Sequence, residues 1–303
     1  MEVSALMPKM VIFVVLMVIG YLCARTKFAG REFTRDASKM VINVFMTATI
    51  INSVLVTDTR LSGRELAVVM LALSIAIVVG WILAAASCRV MGLAERSPLF
   101  ELLIGVMNNM FIALPVVEEL FGSEAVFYCS LSCIPFNIIL YTYGVYRLHG
   151  GRGAVRLKDI FTVPLLATFA ALIIFMAQPP IPGVLRELAD SLSAATMPLS
   201  MIVIGSSLGS VGLLDAFKNW KLYIMCFIRL LLCPMLVWLL VGLVTQDIVL
   251  MVTSTIIAAS PSGVIVSVLA IQYDRDAVFT SEGILLSTVF SMLTIPLVIY
   301  IIM

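Results

Sequence analysis

Ten runs of apolar residues, each long enough to cross a bilayer as a helix, make up most of this sequence. They cover residues 8–24, 39–56, 66–87, 98–121, 125–148, 160–177, 188–208, 221–244, 248–272 and 277–302. About 20 helical residues span the hydrocarbon core of a bilayer. Backbone in lipid must be hydrogen-bonded within its own segment or in a closed barrel, whose strands are shorter and alternate. The runs therefore predict an all-α integral membrane protein with ten transmembrane helices.

The composition and the motifs argue against an enzyme. The mean hydropathy is +1.13 and only 12% of the residues are charged, about half the usual share in soluble domains. The metalloprotease, serine-hydrolase and phosphate-loop motifs are missing from the sequence. Cys129 and Cys133 lie one helical turn apart without a further ligand nearby, so we expect them to be packing residues. We expect no enzyme activity, no cofactor, no metal site and no nucleic-acid partner.

The distribution of cations predicts the orientation in the membrane. Of the 19 Lys and Arg residues, 14 flank the loops that follow odd-numbered spans, and one, Arg229, lies inside a span. The remaining four, on the opposite side, are Lys9, Arg60, Arg64 and Arg186. Cytoplasmic loops carry the excess of positive charge. We therefore expect both termini on the non-cytoplasmic side of the cell membrane, which is the inner or plasma membrane.

The two halves of the chain show a weak internal repeat at an offset of 152 residues. Residues 121–127 read FGSEAVF, and residues 273–279 read YDRDAVF. The same offset places the third, fourth and fifth spans on the eighth, ninth and tenth. Residues 1–152 and 153–303 are thus predicted to be two five-helix copies, and the odd number inserts the second copy in the opposite sense. Inverted repeats are a recurring architecture of secondary transporters.

The fourth and ninth spans contain residues that interrupt helices, at matching positions in the two halves. These are Asn108, Asn109 and Pro115 in one span and Ser260, Pro261, Ser262 and Gly263 in the other. Proline removes an amide donor, and irregular backbone at membrane depth is tolerated only where protein buries it or it lines a wet cavity. Two broken helices that cross would bring their positive half-helix N-termini together. The pattern therefore predicts a midplane site for a small anion.

At these residues the sequence resembles the auxin efflux carrier family. The family pattern N-x-G-F-x-G-x-P, followed later by an aromatic–Gly pair, is matched by Asn108, Phe111, Pro115 and Gly122, whereas Met110 and Ala113 replace both internal glycines. The fifth span is similar to the family's Asn…Tyr-Thr-x-Gly stretch through Asn137, Tyr141, Thr142 and Gly144. The ninth and tenth spans also resemble the family, so the resemblance covers all ten helices.

The resemblance implies a fold similar to that of the sodium/bile acid symporters. Spans one, two, six and seven would form a scaffold domain, and spans three to five and eight to ten a transport domain. Members move small organic anions, such as auxin in plants and malate or malonate in bacterial relatives, and plant relatives form homodimers through the scaffold. The short loops resemble the bacterial branch. The expected substrate-binding residues are Asn108, Asn109, Phe111, Pro115, Asn137, Ser260, Pro261, Ser262, Gly263, Thr47 and Pro198.

Ionisable residues inside the spans are functional candidates by default. Arg229 in the eighth span and Glu282 in the tenth lie at comparable depths. We expect them to pair, or Arg229 to face the inner vestibule and attract the anion; the alternative is that Arg229 extends to the headgroups. Glu101, Glu118 and Glu119 lie near the ends of the fourth span, where solvation alone could explain them.

The expected function is secondary transport of a small mono- or dicarboxylate by alternating access. Two alternatives stay open at this point. One is a membrane-embedded ligand sensor with a transporter-like fold, and the other is a sodium-coupled symporter of a larger organic acid such as a bile acid. The sequence does not decide between proton coupling, sodium coupling and no coupling ion.

Overall fold

The computed structural model describes residues 6–56, 61–92, 97–148, 161–209 and 217–303, and most of these residues are helical. The helices are named after the predicted spans in which they lie. They are α1 (Leu6–Arg25), α2 (Glu32–Val56), α3 (Gly63–Met91), α4a (Ser97–Gly105), α4b (Leu114–Phe121), α5 (Ser123–Leu148), α6 (Val163–Ala177), α7 (Gly183–Gly209), α8 (Trp220–Gly242), α9a (Ile248–Ala259), α9b (Ile265–Gln272) and α10 (Ala277–Ile302). The predicted boundary between the halves and the cations Arg60, Arg96, Arg152, Arg156 and Lys158 lie outside the described residues.

Six of these helices are long and apolar enough to cross a membrane: α2, α3, α5, α7, α8 and α10. Shorter apolar helices cover Val11–Arg25, Val163–Ala177 and Ile248–Ala259. Over the described ranges, the one departure from helices and loops is an isolated antiparallel bridge between Met107 and Ser262. The prediction of an all-helical chain with membrane-spanning helices is confirmed for this part of the protein.

Several helices begin earlier than their apolar runs predict. The run at residues 39–56 corresponds to α2, which starts at Glu32, and the run at 188–208 corresponds to α7, which starts at Gly183. Hydropathy marks the apolar stretch, whereas the hydrogen-bonded ladder continues through polar turns that remain good helix formers. The additional turn of α2 carries the exposed ion pair between Lys39 and Asp36, at 3.3 Å.

The helices α1 and α7 form a close contact through glycines. A Cβ added to Gly205 would lie 1.9 Å from the carbonyl oxygen of Met17, and one added to Gly20 would lie 2.0 Å from that of Ile202. Small residues of this kind let the backbones of membrane helices approach directly. The close approach of α1 and α7 therefore depends on glycine, which has no side chain, at Gly20 and Gly205.

The remaining helices pack in two sets. α2 packs on α6 and α7, and a 2.7 Å hydrogen bond between the hydroxyls of Thr49 and Thr196 joins α2 to α7. α3 packs on α4a, α8 and α9a, and α10 packs on α8 and α9b. Between the sets, α2 contacts α5, and α7 contacts the turn that separates α4a from α4b. The interrupted helices α4 and α9 are thus enclosed by neighbours on most sides.

Candidate functional site

The candidate site is the point at which the two interrupted helices cross. The amide of Asn108 donates to the carbonyl oxygen of Pro261 at 2.9 Å, and the amide of Gly263 donates to that of Val106 at 2.9 Å. All four residues are buried. The breaks therefore satisfy each other's backbone groups, which lipid could not do.

Proline chemistry explains the break in α9. Pro261 disfavours the helical conformation for the residue before it. Ser260 accordingly adopts φ −64° and ψ 147°, an extended conformation, and α9a ends at Ala259. The hydroxyl of Ser260 donates to the carbonyl oxygen of Ile257 at 2.7 Å, so it satisfies one of the carbonyls that the helix end leaves free.

A side-chain cap accompanies the break in α4. Asn108 has φ −88° and ψ 59°, and its Oδ1 accepts the amide of Phe111 at 3.3 Å. A π turn, Asn109–Ala113, follows and leads into α4b. Pro115 lies in the first turn of α4b, directly after the π turn. Proline is tolerated there because the wider turn directs the amide of Leu114 to the carbonyl of Asn109.

Ser262 contributes to the crossing with both its backbone and its side chain. Its amide donates to Oγ of Ser287 on α10 at 3.2 Å, and its own Oγ donates to the carbonyl oxygen of Leu103 on α4a at 2.5 Å. Ser287 is fully buried. A third helix thus supports the crossing, and the polar atoms of Ser262 that we expected to bind substrate are already engaged.

The backbone amides that have no acceptor lie one or two residues after Asn108 in α4 and after Gly263 in α9. The amides of Asn109 and Met110 open the turn into α4b, and those of Val264 and Ile265 open α9b. None of the four donates a hydrogen bond within the described residues. Val264 is 37% exposed, although the preceding six residues are all buried. The crossing therefore presents two half-helix N-termini, which are suited to an anion, and the side chain of Val264 at one of them is exposed.

Comparison with known proteins decides the family. The family described as membrane transport protein matches residues 5–154 and 152–299. The chain belongs to this family. The resemblance to auxin efflux carriers is thereby confirmed, and the protein is a multi-pass membrane transporter.

Two known proteins are similar to this chain over long stretches. One, named an uncharacterized transporter, is from Methanothermobacter thermautotrophicus and is 28% identical over 292 residues, 93% of this chain and 94% of the relative. The other, from Methanocaldococcus jannaschii and also named an uncharacterized transporter, is 28% identical over 208 residues, 65% of this chain and 66% of the relative. Both names agree with a transport role.

The side chains of two other predicted site residues already have hydrogen-bond partners on α5. Nδ2 of Asn109 donates to Oγ of Ser132 at 3.2 Å, and Nδ2 of Asn137 donates to the carbonyl oxygen of Cys133 at 2.8 Å. Phe111 is 8% exposed. The first of these hydrogen bonds joins the π turn before α4b to α5, and the second holds the Asn137 side chain against its own helix. The backbone amides named above remain without acceptors in the described residues.

The scaffold-side candidates, Thr47 and Pro198, lie in α2 and α7. Oγ1 of Thr47 is buried and has no hydrogen-bond partner in the described part of the chain. Pro198 lies inside α7, the helix that packs against the π turn of the crossing. An apolar cleft opens between α1, α7, α10 and the start of α4b with its π turn. Its lining consists of Phe13, Val14, Met17, Ile112, Val116, Met201, Ser291, Met292 and Ile295.

The predicted ion pair between Arg229 and Glu282 is not formed. Nη2 of Arg229 lies 3.5 Å from Oγ of Ser260, and Nε and Nη1 have no hydrogen-bond partner among the described residues. The side chain is fully buried, so it reaches neither a vestibule nor the headgroups. The sequence comparison assumed a regular helix, whereas Arg229 lies in a π turn, Ile228–Leu232, which changes the direction of its side chain.

Sequence reasoning missed a buried ion pair near the predicted cytoplasmic end of the crossing. Nε and Nη2 of Arg147 donate to the two carboxylate oxygens of Glu101 at 2.7 and 2.5 Å. Tyr143 and Ser97 also donate to that carboxylate, both at 3.2 Å. From the sequence, solvation alone could explain Glu101, and Arg147 is one of the cations that flank the loops. The only signal in the sequence was an acid in an apolar helix, because the partner lies 46 residues away.

Proposed function

We propose that the protein is a secondary transporter that moves a small organic anion, a mono- or dicarboxylate, across the cell membrane by alternating access. One observation carries this proposal. Two broken helices cross through reciprocal backbone hydrogen bonds and leave the amides of Asn109, Met110, Val264 and Ile265 without acceptors in the described residues. A carboxylate can accept several such donors at once, and the helix dipoles favour its charge.

The architecture that we propose is a pair of inverted five-helix repeats. It is supported by the matched breaks of α4 and α9, each of which divides a predicted span near its middle. The antiparallel bridge between Met107 and Ser262 is what two oppositely directed breaks would form. In this arrangement both termini lie outside the cell.

The moving part in this proposal is the set formed by α3–α5 and α8–α10, and the scaffold is formed by α1, α2, α6 and α7. The glycine contact between α1 and α7 supports a rigid scaffold. The two backbones are so close that a shift of one helix along the other would bring a side chain against the facing backbone. A homodimer through the scaffold is part of the proposal.

The proposed substrate class rests on the free amides together with the apolar cleft that adjoins the π turn. The carboxylate would lie at the N-termini of α4b and α9b. The apolar cleft shares Ile112 with the π turn and includes Met17 and Met201 from the scaffold. Methionine side chains adapt to irregular apolar shapes. The cleft therefore favours an organic acid with a hydrocarbon part over a compact inorganic anion.

Counterflow in proteoliposomes tests the function. The purified protein would be preloaded with unlabelled malate, malonate, succinate or indole-3-acetate and given the labelled acid outside, with and without proton and sodium gradients. We expect saturable exchange of at least one acid. Folded protein that exchanges none of them would refute carboxylate transport and favour a ligand sensor or a different solute.

A further inference from the structure

Arg229 is a fully buried cation at the centre of the molecule. It has no exposed surface and is the largest of the fully buried side chains in the described residues. One of its three nitrogens contacts Oγ of Ser260, at 3.5 Å, and the other two have no hydrogen-bond partner. Within the described residues it forms no ion pair. A buried charge normally requires an opposite charge or a full set of hydrogen bonds.

The guanidinium of Arg229 lies near the C-terminal ends of α4a and α9a, which are the first halves of the two interrupted helices. Ser260, which it contacts, directly follows the last residue of α9a. A Cβ added to Gly80 would lie 3.7 Å from Nη1 of Arg229 and 3.7 Å from the carbonyl oxygen of Ile104. Ile104 is the penultimate residue of α4a. Arg229 therefore contacts the residue that follows α9a, and it lies against the same glycine of α3 as the end of α4a does.

The half-helix charges alone would not make the crossing positive. Two C-termini and two N-termini meet there, each carrying about half an elementary charge, negative and positive respectively, so their sum is close to zero. Arg229 adds a full positive charge on the side of the C-termini and offsets them. The N-termini of α4b and α9b are then left with an uncompensated positive charge of about one unit.

We propose that Arg229 determines the charge of the ligand at this crossing. It makes the site selective for a single carboxylate group, and it excludes a sodium ion from the site. This proposal rests on the proposed carboxylate transport. A sodium ion at the same place would add a second positive charge in a low-dielectric surrounding, where like charges repel strongly. Arg229 acts here through the electrostatic potential, as a specificity-determining residue.

Three variants separate the effect of the charge of Arg229 from the effect of its volume. Arg229→Met keeps much of the length without the charge, and apolar replacements of buried charges are often tolerated. Arg229→Lys keeps the charge. Cys233→Ala, one turn further along α8, is the matched control. For each, the affinity for the acid that the wild type exchanges is compared with the affinity for its uncharged amide, for example indole-3-acetate and indole-3-acetamide.

The wild type is expected to prefer the acid, and Arg229→Met to lower the acid-to-amide preference at least tenfold. Arg229→Lys and Cys233→Ala should stay within about threefold of the wild type, since either retains the positive charge. A folded Arg229→Met variant with an unchanged preference would overturn the proposal and leave carboxylate transport standing. If the wild type bound no carboxylate, both the role of Arg229 and the proposed carboxylate transport would be refuted.

A second measurement needs no variant of Arg229. Binding of the acid to the wild type is measured with sodium chloride and with choline chloride at equal ionic strength. We expect equal affinities in the two salts. A tenfold or larger tightening in sodium would overturn the exclusion of sodium, even if carboxylate exchange had already been demonstrated.

Discussion

Two close helix contacts in this protein solve the problem of backbone approach in opposite ways. Between α1 and α7, Gly20 and Gly205 bring unbroken helices so near that a Cβ on either would meet a carbonyl oxygen at 2.0 or 1.9 Å. Between α4 and α9 the helices are broken, and their backbones exchange hydrogen bonds through Asn108 and Gly263. The first contact uses no backbone hydrogen-bonding group that the helices themselves do not already pair. The second pairs some of the freed backbone groups and leaves other amides without an acceptor in the described residues.

The difference shows where a membrane protein can place a polar site. Complete helices have satisfied backbones and can be packed tightly, so the α1–α7 pair offers stability without chemistry. A broken helix frees amides that must find partners in protein, water or a ligand. The crossing of α4 and α9 therefore combines structural hydrogen bonds with unengaged donors within a few residues.

The largest expected effect comes from filling the α1–α7 contact. Gly205→Ala would place a methyl group against the carbonyl oxygen of Met17, and the two helices would have to separate. Overpacking of this kind costs on the order of 3 kcal/mol or more. We expect a strong loss of folded protein, measured by thermal unfolding in detergent. Gly183→Ala, in the same helix, is the control, because nothing lies within 4 Å of its added Cβ; an equal loss in both variants would contradict the packing account.

The next effect concerns function rather than stability. Asn108→Ala removes the cap on the Phe111 amide and should abolish counterflow while the protein is still expressed, because the free amides of the π turn lose their geometry. Asn219→Ala removes an equivalent cap, on the amide of Lys221 at the same distance of 3.3 Å. Each loss should cost about 1 kcal/mol of stability. Unaltered counterflow in Asn108→Ala would exclude this residue from the site.

At the predicted cytoplasmic end of α4a we expect a loss of stability rather than the abolition of transport. Glu101→Gln leaves the guanidinium of Arg147, which is 33% exposed, without its carboxylate. Removing one partner of a buried pair costs about 3–5 kcal/mol, and partial exposure should reduce this to about 1–2 kcal/mol. Thermal unfolding with and without high salt measures it. Asp36→Asn breaks the exposed pair with Lys39 and should cost less than about 1 kcal/mol; equal costs would refute the buried pair.

The smallest effect is expected at the third helix that supports the crossing. Ser287→Ala removes the acceptor of the Ser262 amide and should cost about 1 kcal/mol, with a moderate loss of transport rate. Ser74→Ala is the matched control, since its hydroxyl donates only to the carbonyl of Met70 in its own helix. If both variants transport alike, the bond between α9 and α10 has no role in the crossing.

The sequence predicted where the helices break but not how the breaks are used. Asn108 and Pro261 are conspicuous because polar and helix-breaking residues are rare in apolar runs. The free donors are backbone amides of Met110 and Val264, whose side chains carry no signal of that role. The pair of Glu101 and Arg147, and the contact of Arg229 with Ser260, depend on distances between helices and on a π turn, which no spacing along one chain reveals.

Protection of the α9b N-terminus by substrate tests the central claim most directly. Val264→Cys would be made with Cys23→Ala, since the other five cysteines are buried. Its labelling rate by a thiol reagent is measured with and without the acid that the protein exchanges. We expect the acid to slow labelling at least tenfold there and to leave Val278→Cys, at a position 69% exposed on α10, unchanged. Equal labelling of Val264→Cys at saturating acid would contradict binding at the crossing.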